Sequence, residues 1–143
     1  MPVRADFLDS RAYNEAVTAE FRATGAVTGD FAGRNLLILT TTGARSGRRH
    51  AVPLGYTDIG GRILVSAAAG GAPNHPDWYH NLVAHPEVTV ELPGETFQGR
   101  AVVTAGEERR ALGEERAKTN PNFRRNQERT SREIPLIWLD RIS

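Results

Sequence analysis

Cysteine is absent from this 143-residue sequence, which excludes disulfide frameworks, thiolate metal sites and thiol nucleophiles. No apolar run approaches the ~18 residues that a membrane-spanning helix needs. The first residues also lack the apolar core of a secretory signal. We therefore expect a cytoplasmic protein. The helix predicted over residues 10–24, together with Phe7 and Leu8, is the one candidate for contact at a membrane surface, but it lacks the basic polar face of such helices, so packing on the sheet is favoured.

The sequence also lacks an excess of charge of either sign. Its 18 basic and 17 acidic residues give a net charge of +1, so no nucleic-acid partner is expected. The length suits one ordinary hydrophobic core. We expect one domain over residues 1–143, with an N-terminal helix in residues 1–25 and a barrel with inserted helices in residues 26–143.

Motifs that bind metals or generate nucleophiles are missing as well. His75, His80 and His85 are five residues apart. On one helix, each step of five turns the side chain by ~140°, so these three cannot share a face. The sequence has no His-Glu-x-x-His motif and no serine in a Gly-x-Ser-x-Gly elbow. We predict neither a metal site nor a catalytic side chain.

The pattern of apolar residues predicts a mainly β protein with helices. Helices are expected at residues 10–24, 76–84, 106–118 and 121–129, with Gly25 ending the first. Strands are expected at residues 36–42, 50–58, 62–67, 87–92, 96–104 and 134–139. Gly60 and Gly61 indicate a tight hairpin, and Pro53 indicates an edge strand or a bulge. About six strands in hairpins favour an antiparallel barrel or sheet with helical cover over a parallel sheet.

A basic turn, residues 43–49, joins the first two predicted strands, and we name it the arginine turn. Two glycines let its backbone approach a ligand, a serine offers a hydroxyl, and three arginines supply forked donors. These residues are Gly43, Gly47, Ser46, Arg45, Arg48 and Arg49. The combination suits a phosphate or a carboxylate. A solvated hairpin loop has the same composition, and that interpretation stays open.

The alanine-glycine segment, residues 67–71, follows a predicted strand and precedes Trp78 and Tyr79 by a few residues. Residues this small let a planar ligand lie against the main chain and accept hydrogen bonds from its N–H groups. The two aromatic rings would then close the pocket. Trp78 could equally anchor the core by packing on Leu82 one helical turn away, and both interpretations stay open.

Several stretches, in this order, resemble the deazaflavin-dependent nitroreductase family. They are TTGARSG, HAVPL, AAAGGAPNHPDWYHNLVAHPEVTVEL, ETFQGRAVV, GEERRAL and TSREIPLIWL. The Gly-Gly-x-Pro-x-x-Pro-x-Trp-Tyr-x-Asn-Leu core is the most specific of these signals. The resemblance implies a split β-barrel that binds coenzyme F-420, an 8-hydroxy-5-deazaflavin with a phosphodiester and an oligoglutamate tail.

The resemblance also implies roles for individual residues. Arg45 and Ser46 would hold the phosphate, and Arg48, Arg49 and His50 would hold the entrance of the tail. The other implied cofactor-binding residues are Ala44, Val52, Pro53, Leu54, Ser66, Ala67, Ala68, Ala69, Trp78, Tyr79 and Asn81. The implied reaction is hydride transfer from the reduced deazaflavin to an acceptor stacked on its face. The protein would contribute binding and orientation.

The implied acceptor pocket departs from the family pattern. Ala68, Asn120, Phe123 and Asn126 would border the acceptor, and none carries the hydroxyl found there in characterised nitroreductases. Ala44 similarly replaces a basic residue of the turn. Because Phe123 can stack on an aromatic ring, we expect a planar acceptor such as a quinone, an enone or a nitro compound. It should differ from the bicyclic nitroimidazoles of the prototype.

Two alternatives stay open beside the reductase. The chain could bind or carry coenzyme F-420 without turnover, or the same barrel could hold flavin mononucleotide or haem. A homo-oligomer is compatible with the sequence, although no surface stripe demands a partner. The reductase interpretation requires the arginine turn and the alanine-glycine segment to lie side by side.

Overall fold

The computed structural model describes residues 10–25 and 35–142, where four helices surround one antiparallel sheet. The helices are α1 Ser10–Thr24, α2 Asp77–Ala84, α3 Gly106–Thr119 and α4 Pro121–Glu128. The strands are β1 Leu36–Thr42, β2 Arg49–Gly55, β3 Thr57–Ile59, β4 Arg62–Ser66, β5 Glu87–Leu92, β6 Glu95–Val103 and β7 Leu136–Arg141. The mainly β architecture with helical cover is confirmed. Phe7 and Leu8, the disfavoured candidates for membrane contact, lie outside the described residues.

The single strand predicted over residues 50–58 is interrupted at Tyr56. The backbone N–H of Tyr56 donates to the carbonyl of Asn35, 3.1 Å away, instead of joining a strand ladder. On either side of this bend, β2 pairs with β1 and β3 pairs with β4. The described sheet therefore has seven strands where about six were expected.

The sheet curls but leaves a split. Its strand order is β2-β1-β5-β6-β7-β4-β3, so the two edge strands are consecutive in the chain and their edges must approach each other around Tyr56. β4 pairs with β3 only as far as Leu64 opposite Thr57. Within the described residues, β2 pairs with β1 alone. Among the described residues, the free edge of β2 and the part of β4 beyond Leu64 are therefore both without a strand partner on the open side.

Three connections meet at one end of this sheet, which we name the rim. β1 and β4 run in the same direction because three alternating antiparallel strands separate them. Thr42 at the end of β1 and Ser66 at the end of β4 therefore lie at the same end, and Leu136 at the start of β7 pairs with Ser66. The arginine turn, the alanine-glycine segment and the loop before β7 all leave from the rim.

The two faces of the sheet bury separate clusters. Inside the curl, Trp78 and Leu82 of α2 pack on side chains from β1, β4, β5, β6 and β7. Outside, α1 packs Tyr13, Val17 and Phe21 on β1, and α4 covers β4 and β7. Burial of apolar area on both faces holds the strand ends of the rim in place.

Several local expectations are confirmed. Gly25 follows α1 with φ 75°, and its N–H donates to the carbonyl of Phe21 at 2.7 Å. Gly60 and Gly61 both have positive φ in the hairpin between β3 and β4. Pro53 lies in β2, an edge strand. Among the described helices, none combines the length and apolar character needed to cross a membrane.

Candidate cofactor site

The arginine turn is closed by its own backbone. The Gly43 N–H donates to the carbonyl of Arg48 at 2.7 Å, and the Gly47 N–H donates to the carbonyl of Gly43 at 3.0 Å. The Arg48 N–H donates to the Ser46 hydroxyl at 3.1 Å. A Cβ at Gly43 would overlap that hydroxyl and lie 3.1 Å from Nε2 of His50. The turn therefore closes tightly only on glycine.

The cations of the turn differ in what they contact. Arg45 and Arg48 are exposed, and neither has a carboxylate partner among the ion pairs of the described residues. Arg49 donates from Nη2 to the hydroxyl of Thr89, 2.6 Å away. Side chains alternate along a strand, so His50 points to the opposite face from Arg49. Arg45, Arg48 and His50 are therefore open to a ligand, whereas Arg49 is engaged with β5.

Asn81 fastens α2 to the arginine turn. Its Oδ1 accepts the N–H of Ala44 at 3.0 Å, and its Nδ2 donates to the hydroxyl of Thr41 at 3.1 Å. Thr41 is fully buried near the end of β1. One amide group thus holds the strand, the helix and the turn together, and α2 is the helix that follows the alanine-glycine segment.

The alanine-glycine segment has an uncommon backbone conformation. Ala68 is in the right-handed helical region (φ −79°, ψ −36°), whereas Ala69 has φ 49°, a region that residues with a Cβ seldom adopt. Gly70 and Gly71 continue with φ 66° and 83°. A right-handed residue followed by a left-handed one directs successive N–H groups into one concavity, called a nest, which attracts negative charge.

Three successive N–H groups of this nest, those of Ala68, Ala69 and Gly70, have no acceptor among the described residues. Their neighbours are satisfied: the Ala67 N–H donates to the carbonyl of Pro135 at 3.0 Å, and the Gly71 N–H donates to that of Ala68 at 2.9 Å. Main-chain donors need a partner, from the protein, water or a ligand. The nest therefore fits a ligand edge rich in carbonyl oxygens.

Apolar side chains adjoin the nest on the inner face of the sheet. Five of the residues implied to contact the cofactor ring belong to one cluster: Val52, Leu54, Ala67, Trp78 and Tyr79. They come from both sides of the split. The structure thus places apolar side chains beside a row of backbone donors, which are the two features that a flat heterocycle with a polar edge requires.

Two of the residues implied to contact the cofactor offer it little surface. Pro53 is buried in register with Ile38, a residue that packs against α1, so Pro53 faces away from the inner cluster. Trp78 is only 8% exposed and packs in the same cluster as Leu82, which agrees with the core-anchor interpretation. Little of its surface is therefore open to a ligand.

The implied acceptor positions gather on the outer face, around α4. Ala68 packs on the cluster that contains Phe123, and the carbonyl of Asn126 lies 2.8 Å from the place of a Cβ on Gly71. The Oδ1 of Asn120 accepts the N–H of Phe123 at 3.1 Å and caps α4. Phe123 is 4% exposed, so stacking on an acceptor requires α4 to move outward.

Arg132, in the loop before β7, is a residue of this site that sequence interpretation missed. Its Nη1 donates to the carbonyl of Ala67 at 3.1 Å, its Nη2 to that of Ala68 at 2.7 Å and its Nε to that of Ala72 at 2.9 Å. Burial lowers the pKa of Arg132, but a guanidinium remains charged. No local pattern reveals contacts between residues 60 or more apart in sequence.

The assumption that His75, His80 and His85 lie on one helix is wrong, because only His80 lies within α2. His75 precedes α2 instead of lying on it, and its ring centroid is 5.9 Å from that of His80 and 4.6 Å from that of Tyr79. Burial lowers the pKa of His75, and the charges of Arg132 and His80 lower it further. In the described part of the chain, no group of three or more side chains could hold a metal.

A surface cleft of about 450 Å³ lies on the far side of Arg132, between α3, α4 and residues 131–133. Its most buried cation, Arg109, donates from Nε and Nη2 to the carbonyl of Ile134 at 2.9 and 2.7 Å. Arg110 is paired with Glu107 and Glu114. These cations are occupied by protein groups, so the cleft is a less suitable anion site than the nest.

The fold and the site together define a class. A curled antiparallel barrel carries, at one rim, an exposed cationic turn, an apolar surface and a row of unpaired backbone donors. These features suit a long ligand with one flat and one anionic end.

The chain belongs to the F420H(2)-dependent quinone reductase family, which it matches over residues 12–140. It is 35% identical over 108 residues to an F420H(2)-dependent quinone reductase of Mycobacterium tuberculosis, a match that covers 73% of this chain and 72% of that relative. Reduced coenzyme F-420 as cofactor is thereby confirmed. The broader nitroreductase label is not confirmed, since the matching family is named for quinone reduction.

Solved structures agree with this assignment. The chain has 33% identity and a TM-score of 0.66 to an F420-H2 dependent reductase (FDR-A), covering 75% of this chain and 95% of that one. It also matches HutZ, a haem storage protein of Vibrio cholerae, at 15% identity and a TM-score of 0.56, with 90% of each chain covered. The second likeness shows the split-barrel fold alone.

Proposed function

We propose that this protein reduces a quinone with a hydride from reduced coenzyme F-420. The observation that carries the proposal is the nest, whose three unpaired N–H groups adjoin an apolar surface at the rim that also holds the arginine turn. A heterocycle with a carbonyl-rich edge matches the nest, and an anionic chain matches the turn. The family named for this reaction provides independent support.

The proposed binding mode assigns each end of the cofactor to its own residues. Arg45, Arg48 and the Ser46 hydroxyl hold the phosphodiester and the start of the anionic tail, with His50 beside them. Val52 and Leu54 support the ring from β2, and Tyr79 borders it. Ala68, Ala69 and Gly70 donate their N–H groups to its polar edge.

The acceptor would lie between the bound ring and α4, after an outward movement of α4 that uncovers Phe123. When bound, the reduced deazaflavin supplies a hydride, which carries two electrons and one proton. Conversion of a quinone to a quinol needs one further proton, which solvent can provide. Ala68, Phe123 and Asn126 offer no hydroxyl to orient a nitro group, whereas an apolar wall suffices for a flat quinone ring. Binding, orientation and exclusion of water are then the protein's contributions.

The reaction is tested by mixing the protein and reduced coenzyme F-420 anaerobically with menadione, cyclohexenone or a nitroimidazole. We expect the absorbance of oxidised cofactor to appear with menadione and far more slowly with the nitroimidazole. Equal rates with all three acceptors would contradict a preference for quinones. Tight cofactor binding without turnover would favour the carrier alternative. Binding of flavin mononucleotide or haem, without binding of the deazaflavin, would overturn the proposal.

Arg45→Ala tests the anionic end of the site. The side chain is exposed and has no described ion-pair partner, so its loss should leave stability unchanged. Affinity for the complete cofactor should fall by ~1.5 to 3 kcal/mol, the range for losing a hydrogen bond to a charged group. Lys118→Ala, which removes an exposed cation from α3, is the matched control and should bind normally. Equal effects of both changes would mean that only net charge matters.

A further inference from the structure

We infer that Arg132 is the residue that shapes the nest for the cofactor ring, an inference that rests on the proposed function. It is a positioning residue, because its guanidinium contacts the alanine-glycine segment from the carbonyl side. Three donors of one planar group are used on three carbonyls, those of Ala67, Ala68 and Ala72. No other described side chain makes as many hydrogen bonds to this segment.

The carbonyl contacts fix the direction of the N–H groups. In a trans peptide, the C=O of one residue and the N–H of the next are coplanar and point in opposite directions. Arg132 holds the carbonyl of Ala67 and therefore aims the N–H of Ala68. It holds the carbonyl of Ala68 and therefore aims the N–H of Ala69. The third peptide is fixed by the Ala72 N–H, which donates to the carbonyl of Ala69 at 3.1 Å.

The same contacts stabilise a backbone that would otherwise relax. Ala69 has φ 49°, a left-handed conformation that is unfavourable for a residue with a Cβ. Charge-assisted hydrogen bonds to the flanking carbonyls can offset that cost. Without them, the segment is expected to leave the nest conformation, and the three N–H groups would diverge.

The geometry requires an arginine. The fork of a guanidinium presents donors in one plane at fixed angles, so it reaches three carbonyls at once. An ammonium group is a single point with rotatable donors and can satisfy one or two of them. Nη1 of Arg132 also donates to Nδ1 of His75, 2.9 Å away. This hydrogen bond requires a neutral imidazole with its lone pair on Nδ1.

The first experiment measures how well ordered the backbone of the nest is in the protein without cofactor. Arg132→Met keeps an unbranched apolar stem and removes all donors. We expect lower NMR order parameters at the amides of Ala69 and Gly70, and exchange of the hydrogen-bonded amides of Gly71 and Ala72 about 10-fold to 100-fold faster. The order parameters and exchange rates of Arg132→Lys should lie between those of Arg132→Met and those of the wild-type protein. Arg125→Met, on the exposed side of α4, is the matched control.

The second experiment separates the two ends of the cofactor. A truncated deazaflavin that keeps the ring and ribityl chain but lacks the phosphodiester and tail serves as the probe. Arg132→Met should weaken binding of this probe about 10-fold to 100-fold. Arg45→Ala should leave it unchanged and weaken only the complete cofactor. With the complete cofactor, Arg132→Met should raise KM more than it lowers kcat.

Two results would overturn the inference. One is an Arg132→Met protein with unchanged order parameters, unchanged exchange at Gly71 and Ala72 and unchanged affinity for the probe. The other is equal loss in Arg132→Met and in the Arg125→Met control. If Arg132→Met does not fold, the same measurements on Arg132→Lys test the inference, which predicts an intermediate loss of order and of probe affinity. If the original protein binds no deazaflavin, the proposed function fails, while the NMR measurements still test the role of Arg132.

Discussion

At Gly71, both the backbone conformation and the close packing require a residue without a Cβ. Its φ is 83°, and an added Cβ would lie 2.7 Å from Cβ of Arg129 and 2.8 Å from the carbonyl oxygen of Asn126. Gly71→Ala should therefore lower the free energy of unfolding by about 2–4 kcal/mol, from left-handed strain and overlap together. Urea denaturation measures the change.

Gly70→Ala is the control for that substitution. Gly70 has a similar φ of 66°, but no atom lies within 4 Å of the place of its Cβ. Only the conformational cost remains, about 1–2 kcal/mol. Equal destabilisation by the two substitutions would mean that contact with α4 does not hold the alanine-glycine segment.

His75 should make the protein less stable in mild acid. Burial, Arg132 and His80 lower its pKa below the ordinary 6.5, so the unfolded chain binds a proton there more readily than the folded protein does. The free energy of unfolding should therefore fall as pH falls through 6.5. Comparison of His75→Gln with the original between pH 8 and 5, values chosen to bracket this range, isolates the effect. The two curves would run parallel if His75 were not involved.

At the scale of elements, α4 depends on its N-cap. Asn120 has non-helical φ and ψ, its Oδ1 accepts the N–H of Phe123, and Pro121 occupies the first turn. Asn120→Ala should lower the free energy of unfolding by about 1 kcal/mol, whereas Asn120→Asp should preserve the cap. Thermal denaturation of both variants tests this. An Asp variant as unstable as the Ala variant would assign Asn120 a role other than capping.

The elements were largely predictable because their signals are local. Apolar spacing and Gly25 identify α1, and the paired glycines Gly60 and Gly61 identify the hairpin. The bend at Tyr56 was not predictable, because the residue that accepts its backbone N–H, Asn35, is distant in sequence and precedes the arginine turn. Arg132 was missed for the same reason, since its acceptors are carbonyls that any residue type would supply.

For the whole molecule, the strand order predicts where unfolding begins. β1 has partners on both edges, and Leu37, Ile38 and Leu39 are fully buried. Their amides should exchange only through global unfolding, whereas those of β3, a short edge strand, should exchange through local opening. Hydrogen exchange followed by NMR measures both. Equal protection of the amides in β1 and β3 would contradict local opening at the β3 edge of the sheet.

The sequence by itself determined the kind of elements, the deazaflavin cofactor and the composition of the two segments proposed to hold its ends. Those depend on residue types and short spacings. Only the tertiary structure decided that both segments share one rim, because that follows from an odd number of antiparallel strands between β1 and β4. It also decided that Arg49 and Pro53 face away from the residues they were grouped with: alternation puts neighbouring residues of β2 on opposite faces, and the register with β1 sets which face is the inner one. The nest has the same origin: alanine and glycine permit its conformation, but Arg132 from a distant loop selects it.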